Sequence, residues 1–429
     1  MVKLRKMVKK MKNPQKKFRL MLAFMFLVSL SIAFTSCDKD EDDDDNNQAT
    51  GNEVVKSNIT ENTTWTSDKV YQLGGRIVVE AGATLTIEPG TIIKGEAGTG
   101  TNATALLIAK DAKIKAEGTE DAPIIFTSVA DEITPEQVAD GDFISPNMDP
   151  TANGYWGGLI VLGNAPISVA EGNTAQIEGI PSSDPNGKYG GDAPNDNSGV
   201  LKHISIRHGG SNIGEGNEIN GLTLGGVGSG TVVENIEVVA NQDDAIEWFG
   251  GTVDVTNAVV WNAGDDGLDA DQGWNGTCEN FVIISPDDHL FELDGIEGNT
   301  QDPAEIEQFG SYTFKNGYVI GNTSDVTSSD LVNLDPETSV HFENVFFTEI
   351  NDGQQITLKG SATLPDGFLD GVNTTFTDVV LNVTDDVDKY IDGTATGISA
   401  GTSPSDASAI DISVFNWTWP DQAGAITAW

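Results

Sequence analysis

The chain has 429 residues, with 23 Lys+Arg against 66 Asp+Glu and a formal net charge of −43. A surface this negative repels phosphate backbones and anionic headgroups, which argues against nucleic-acid binding and against electrostatic attachment to a membrane. The length suits two average domains or one elongated repeat array, and 48 glycines point to a chain of many tight turns.

The first 36 residues differ from the rest. They hold nine Lys+Arg and no acidic residue, followed by a mostly apolar run of 15 residues from Leu20 to Phe34. That run is short of the roughly 20 residues needed to span a bilayer, so a basic head and short apolar stretch read as a secretory signal. The body that follows carries 14 Lys+Arg against 66 Asp+Glu, a net charge of −52.

The segment Phe34-Thr35-Ser36-Cys37 resembles a bacterial lipobox, which implies that Cys37 is lipidated and becomes the first residue of the mature protein. Phe34 and Ser36 depart from the usual residues of that motif. Asp38 to Asp45 is a block of like charge that cannot collapse and is expected to be a solvated tether over residues 37–60. Lys39-Asp40-Glu41 also resembles the export signal of surface lipoproteins in one Gram-negative phylum, which implies an outer-membrane lipoprotein displayed at the cell surface. With Cys37 committed to lipid, Cys278 has no partner for an intrachain disulfide and reads as a small buried side chain in a strand.

Beyond the tether, one short helix is expected at Thr134 to Ala139, with Thr134 as N-cap and Pro135 at the first helical position. The remainder is short runs of Val, Ile, Leu, Thr and Phe separated by Gly, Asn and Asp. Ala83 to Ile87 and Ala112 to Ala116 repeat one another at an offset of 29. Further on, Asn235, Asn257 and Asn280 each precede an apolar run, at spacings of 22 and 23. The pairs Asp243-Asp244, Asp265-Asp266 and Asp287-Asp288 follow at spacings of 22, after which Ile246, Leu268 and Leu290 resume the apolar phase. Single short strands cannot bury both faces. Coiling the chain so that equivalent strands stack about 4.8 Å apart gives them a continuous interior.

With Asn257 to Leu268 as its clearest unit, the sequence resembles the right-handed parallel β-helix, or pectin-lyase-like, superfamily over roughly residues 70–380. The expected architecture is all-β: one parallel β-helix over residues 61–385, an excursion loop from Glu178 to Gly199, and an aromatic capping segment at 386–429 closing the last rung. A β-sandwich would lack the 22-residue phase of the corners.

Stacking at that period places Asp243, Asp265 and Asp287 in one column and Asp244, Asp266 and Asp288 in a second, with Glu247 and Asp269 sharing a further phase and Glu292 one residue late. Like charges at that separation repel by roughly 3 kcal/mol per pair at an effective dielectric near 20, so something offsets them. Corner carboxylates accepting backbone N–H groups would do so. Divalent cation binding would as well, since Ca²⁺ takes six to eight oxygen ligands, and Asp243, Asp244, Asp265, Asp266, Asp269, Asp287 and Asp288 would supply them.

A catalytic role has weaker support. Asn241 to Asp244 resembles the Asn-Gln-Asp-Asp segment of polygalacturonases, but the Gly-His-Gly and Arg-Ile-Lys segments those enzymes need do not follow. Pectate-lyase-like enzymes use Ca²⁺ with a Lys or Arg base. Lys202 and Arg207 are the cluster available to such a site, with Asp244 and Asp266 as its acids. Alternation over Lys202 to His208 also suits a strand with Ile204 and Ile206 inside and the charges in solvent.

Trp248, Trp261 and Trp274, 13 residues apart, are out of phase with one column and would either flank a sugar-binding groove or pack in the core. The expected function is a non-catalytic module binding glycan or a surface-protein partner. Its rival is a polysaccharide lyase or glycoside hydrolase.

Overall fold

The computed structural model describes residues 51–211, 219–296, 310–334, 338–358 and 374–427; Cys37, the signal segment and most of the tether lie outside them. Residues from Thr50 onward form one compact unit built on a 15-stranded and a 10-stranded sheet, in which all pairing is parallel. The chain coils from one sheet to the other and back. One turn runs from Ile246–Phe249 in the short sheet to Val255–Trp261 in the long sheet, then to Leu268–Asp271, stacked on Ile246–Phe249. Side chains that point inward, such as Ile236, Ala258 and Phe281 in register on successive rungs, fill a continuous core. The fold is the expected right-handed parallel β-helix, and the two early repeats pair as anticipated, Leu85 opposite Ile114.

Seven consecutive long-sheet strands, from Gly199–Arg207 to Thr375–Leu381, bend at one residue with left-handed backbone. Asn235, Asn257, Asn280, Asn316 and Asn344 have φ between 53° and 60° and lie in register, with His203 and Asp378 at either end of the column. Asparagine tolerates this conformation better than other residues with a Cβ. Two stretches of the column are also tied side chain to side chain: Asn257 Nδ2 donates to Asn235 Oδ1 at 2.9 Å and Asn280 Nδ2 to Asn257 Oδ1 at 2.7 Å, and Asn344 Nδ2 donates to Asn316 Oδ1 at 3.0 Å.

The helix expected at Thr134 is present as Pro135–Ala139, with Thr134 Oγ1 accepting from Gln137 N at 3.3 Å. The excursion loop and the chain leading into it pack Ile167, Ile177, Ile180 and Tyr189 on the outer face of the short sheet, against Ile160, Leu162 and Phe249.

The C-terminal segment first adds a rung of its own, Ile391–Asp392 on Ile356–Thr357 and Ile398–Ala400 on Val379–Leu381, and its aromatic part then lies elsewhere. It runs back across the outer face of the long sheet, bonding to successively earlier rungs. Asp406 N donates to Asn344 Oδ1 (3.1 Å), Asp411 N to Asn280 Oδ1 (2.9 Å) and Trp419 N to Glu237 Oε1 (3.3 Å). Gln422 Oε1 then accepts from Phe143 N at 2.9 Å. Phe415 and Trp419 bury Val239, Val259, Trp261 and Val282 beneath them. The apolar residues that read as a cap are therefore a strap over a sheet face that alternation alone would assign to solvent.

Candidate functional site

The acidic ladder sits where the chain passes from the long sheet to the short one. The short-sheet strands that follow point one carboxylate outward per rung, placing Glu247, Asp269 and Glu292 in register. Glu292, one residue late by counting, is in register because the corner Gln272–Thr277 is one residue longer than Gly250–Asp254.

That insertion corrects the expected columns on the third rung. Ala245 N donates to Asp266 O and Gly267 N to His289 O, so the inner column is Asp244, Asp266 and His289, with Asp288 stacking on Asp265. Asp287 falls out of phase and is exposed.

Inner carboxylates turn onto the next rung's amides: Asp244 Oδ1 accepts from Asp266 N at 3.0 Å, and Asp266 Oδ1 from His289 N at 2.6 Å. Asp266 Oδ1 also holds His289 Nδ1 at 2.9 Å, and His289 Nε2 faces Asp288 Oδ1 at 3.6 Å.

Beside this column lies a dry carboxylate cluster. One side-chain oxygen from each of Asp244, Glu247 and Asp269 falls within 4.8 Å of the others, and all three residues are buried. Asn220, fully buried, donates to Glu247 Oε2 and to Glu178 Oε1 of the excursion loop, so the loop walls the cluster on its N-terminal side. Asp269 Oδ1 is buried with no hydrogen-bond partner among the described residues.

Burial pushes the Asp244, Glu247 and Asp269 carboxyls well above their ordinary range, and neighbouring carboxylates push them further. Asp266 is pushed up to about 10, first by burial and then by a hydrogen bond to Glu292. Two further groupings, Asp243 with Asp244 and Asp265, and Asp266 with Asp288 and His289, bring three possible metal-ligand atoms within the same 4.8 Å. An oxygen-rich set with an unpartnered carboxylate oxygen fits a hard divalent cation, for which Asp244, Glu247 and Asp269 would be the inner ligands.

The basic residues lie elsewhere. Lys202 is half-exposed on the long sheet and pairs with Glu234 at 3.0 Å. Arg207, expected in solvent, is fully buried under the strap. Its Nε donates to Ser205 Oγ at 2.6 Å, its Nη2 lies 3.5 Å from Glu237 Oε1, and its guanidinium carbon is 5.2 Å from the Trp419 ring centre. The strap turns this outward face into an interior, so a buried cation needs the buried anion opposite it.

The tryptophans are also internal. Trp248 and Trp274 stack inside the coil at 4.4 Å and 15°, and Trp261 packs edge-on to Trp419 at 6.0 Å. None offers its face to a sugar. Trp248 and Trp274 meet despite their difference in phase because Trp274 lies in the corner rather than on the strand. Cys278 is fully buried, as expected of a core thiol, and burial raises its pKa.

Counting missed Glu178, Asn220 and the place of His289 in the column. The 23-residue step from Asn257 to Asn280 was the signal that would have corrected the third rung. Among the described residues no helix is long and apolar enough to cross a membrane. The sequence model of a family described as pectate-lyase like beta helix domain matches residues 57–419. Searches of curated proteins and of solved structures returned no match.

Proposed function

Because the chain belongs to the family of pectate-lyase-like β-helix domains, we propose that it is a lipid-anchored, surface-displayed β-helix that binds a glycan or another extracellular partner without cleaving it, its acidic corner stiffened by Ca²⁺. One observation carries the non-catalytic reading. The Asp244 and Asp266 carboxylates are engaged with corner amides of the next rung, while Lys202 and Arg207 belong to the other sheet. A lyase needs acid and base on one substrate, and these four residues do not converge. For the anchor, support comes from Cys37 behind a basic, apolar leader and ahead of an acidic run.

A hydrolase is the second reading, favoured by the half-buried His289 held between Asp266 and Asp288. A panel of neutral and acidic polysaccharides, scored for retention and for new reducing ends, separates the two. Binding without chain cleavage is the expected result. Cleavage that disappears in Asp266→Asn would establish the hydrolase instead. Cys37→Ala is expected to release the protein from the membrane fraction; retention of that variant would remove the lipid anchor from the reading.

A further inference from the structure

The opposite corner, where the chain returns from the short sheet to the long one, carries a groove that none of the carboxylate columns enters. Four successive rungs line it, with Ser229, Thr252, Asp254, Asn275, Thr277 and Thr313 at the surface of a cavity of about 460 Å³. Thr252 Oγ1 donates to Pro194 O at 2.5 Å and accepts from Ser229 N at 3.0 Å, which pins the excursion loop as the wall at one end. Asp254 Oδ1 accepts from Thr277 N at 2.8 Å. At Gly276 the backbone packs so closely on the interior that a Cβ would lie 2.3 Å from Val253 O and 2.6 Å from Trp274 Nε1.

In a body of charge −52, this groove is lined by hydroxyls, one amide and one carboxylate, and by no Lys or Arg. A polyuronate would meet uncompensated negative charge there. A neutral sugar would meet donors and acceptors of the kind its hydroxyls need. Rungs repeat about every 4.8 Å, close to the repeat of an extended hexose chain, so hydroxyl groups on successive rungs can meet successive sugars. We propose that this groove binds a neutral polysaccharide laid along the coil axis. The proposal rests on the glycan-binding reading above and places the binding site away from the acidic corner.

The test uses the full chain in EDTA with galactomannan, xyloglucan and mixed-linkage β-glucan as probes and polygalacturonate as the acidic counterpart. Affinity electrophoresis is expected to show retardation by at least one neutral polymer and none by polygalacturonate. Thr277→Tyr, which fills the groove, is expected to weaken binding tenfold or more, and Glu234→Gln, on the outer face of the long sheet, to leave it unchanged. Should Thr277→Tyr lose its native circular dichroism, Thr313→Tyr one rung further on serves the same purpose. Binding that survives both tyrosines, or a preference for polygalacturonate, overturns the groove. Glycan binding lost in Asp244→Asn but kept in Thr277→Tyr overturns it too, while leaving a glycan-binding module. No retardation by any polymer removes both the groove and the glycan arm of the proposed function.

Discussion

Asn257 does two things at once: it adopts φ 60°, and its side chain bonds to both neighbouring rungs. Replacing it with alanine keeps the strained backbone and removes both bonds. We expect Asn257→Ala to cost about 2–4 kcal/mol, combining conformational strain with lost buried hydrogen bonds, measured by urea denaturation. A change below about 0.5 kcal/mol, the ordinary surface range, would mean that the column does not hold the bend. This part of the fold was legible in the sequence, because few residue types suit a left-handed bend inside a strand and the chain repeats one of them. Arg207 was not legible. Its neighbours Ile204 and Ile206 gave the correct inward face, but nothing local to that strand indicates that residues 143 and 419 cover the other side.

The strap holds the Arg207–Glu237 pair out of water, so each partner depends on the other. Glu237→Ala leaves a buried guanidinium without its anion and is expected to destabilise by about 3–5 kcal/mol. The double variant Arg207→Met, Glu237→Leu is expected to recover most of that loss, since apolar residues of similar size suit the site. Thermal melts of the three proteins check this, and a double variant no better than the single would show that the pair itself, rather than its burial, stabilises the strap. Rung length is the other lesson at this scale. A one-residue insertion in the corner Gln272–Thr277 moves Glu292 into register and Asp287 out of it. Columns extrapolated at a fixed period were therefore right for Asp243 to Asp266 and shifted thereafter.

Over the molecule as a whole, the acidic corner makes stability depend on pH in an unusual direction. Asp244, Glu247, Asp266 and Asp269 hold their protons more tightly folded than unfolded. Their contribution is complete below about pH 4, near the unfolded carboxylate pKa, and is lost as pH rises toward the folded values, about 10 for Asp266. In EDTA, Tm is expected to fall between about pH 5 and 9, with a shallower slope in Asp266→Asn. Ca²⁺, which takes the deprotonated carboxylates, is expected to raise Tm most at the upper end of that range. Calorimetric scans with and without Ca²⁺ check this; identical curves at pH 8 would exclude the cation. The sequence disclosed the solenoid and the existence of this corner, because both are periodic. It did not disclose how dry the corner is, since the loop carrying Glu178 and the amide of Asn220 that enclose it obey no period.

A solenoid is ordinarily a one-dimensional array, free to fray from either end because each rung touches only its neighbours. Here the returning segment joins late rungs to early ones, through Asp406 on Asn344 and Gln422 on Phe143. Losing the last rung would therefore also strip cover from rungs as far back as that of Arg207. Those rungs are coupled, and their unfolding should be a single cooperative event instead of a progressive unzipping. The same closure delays folding, because contacts spanning as many as 281 residues form only after the whole coil is in place.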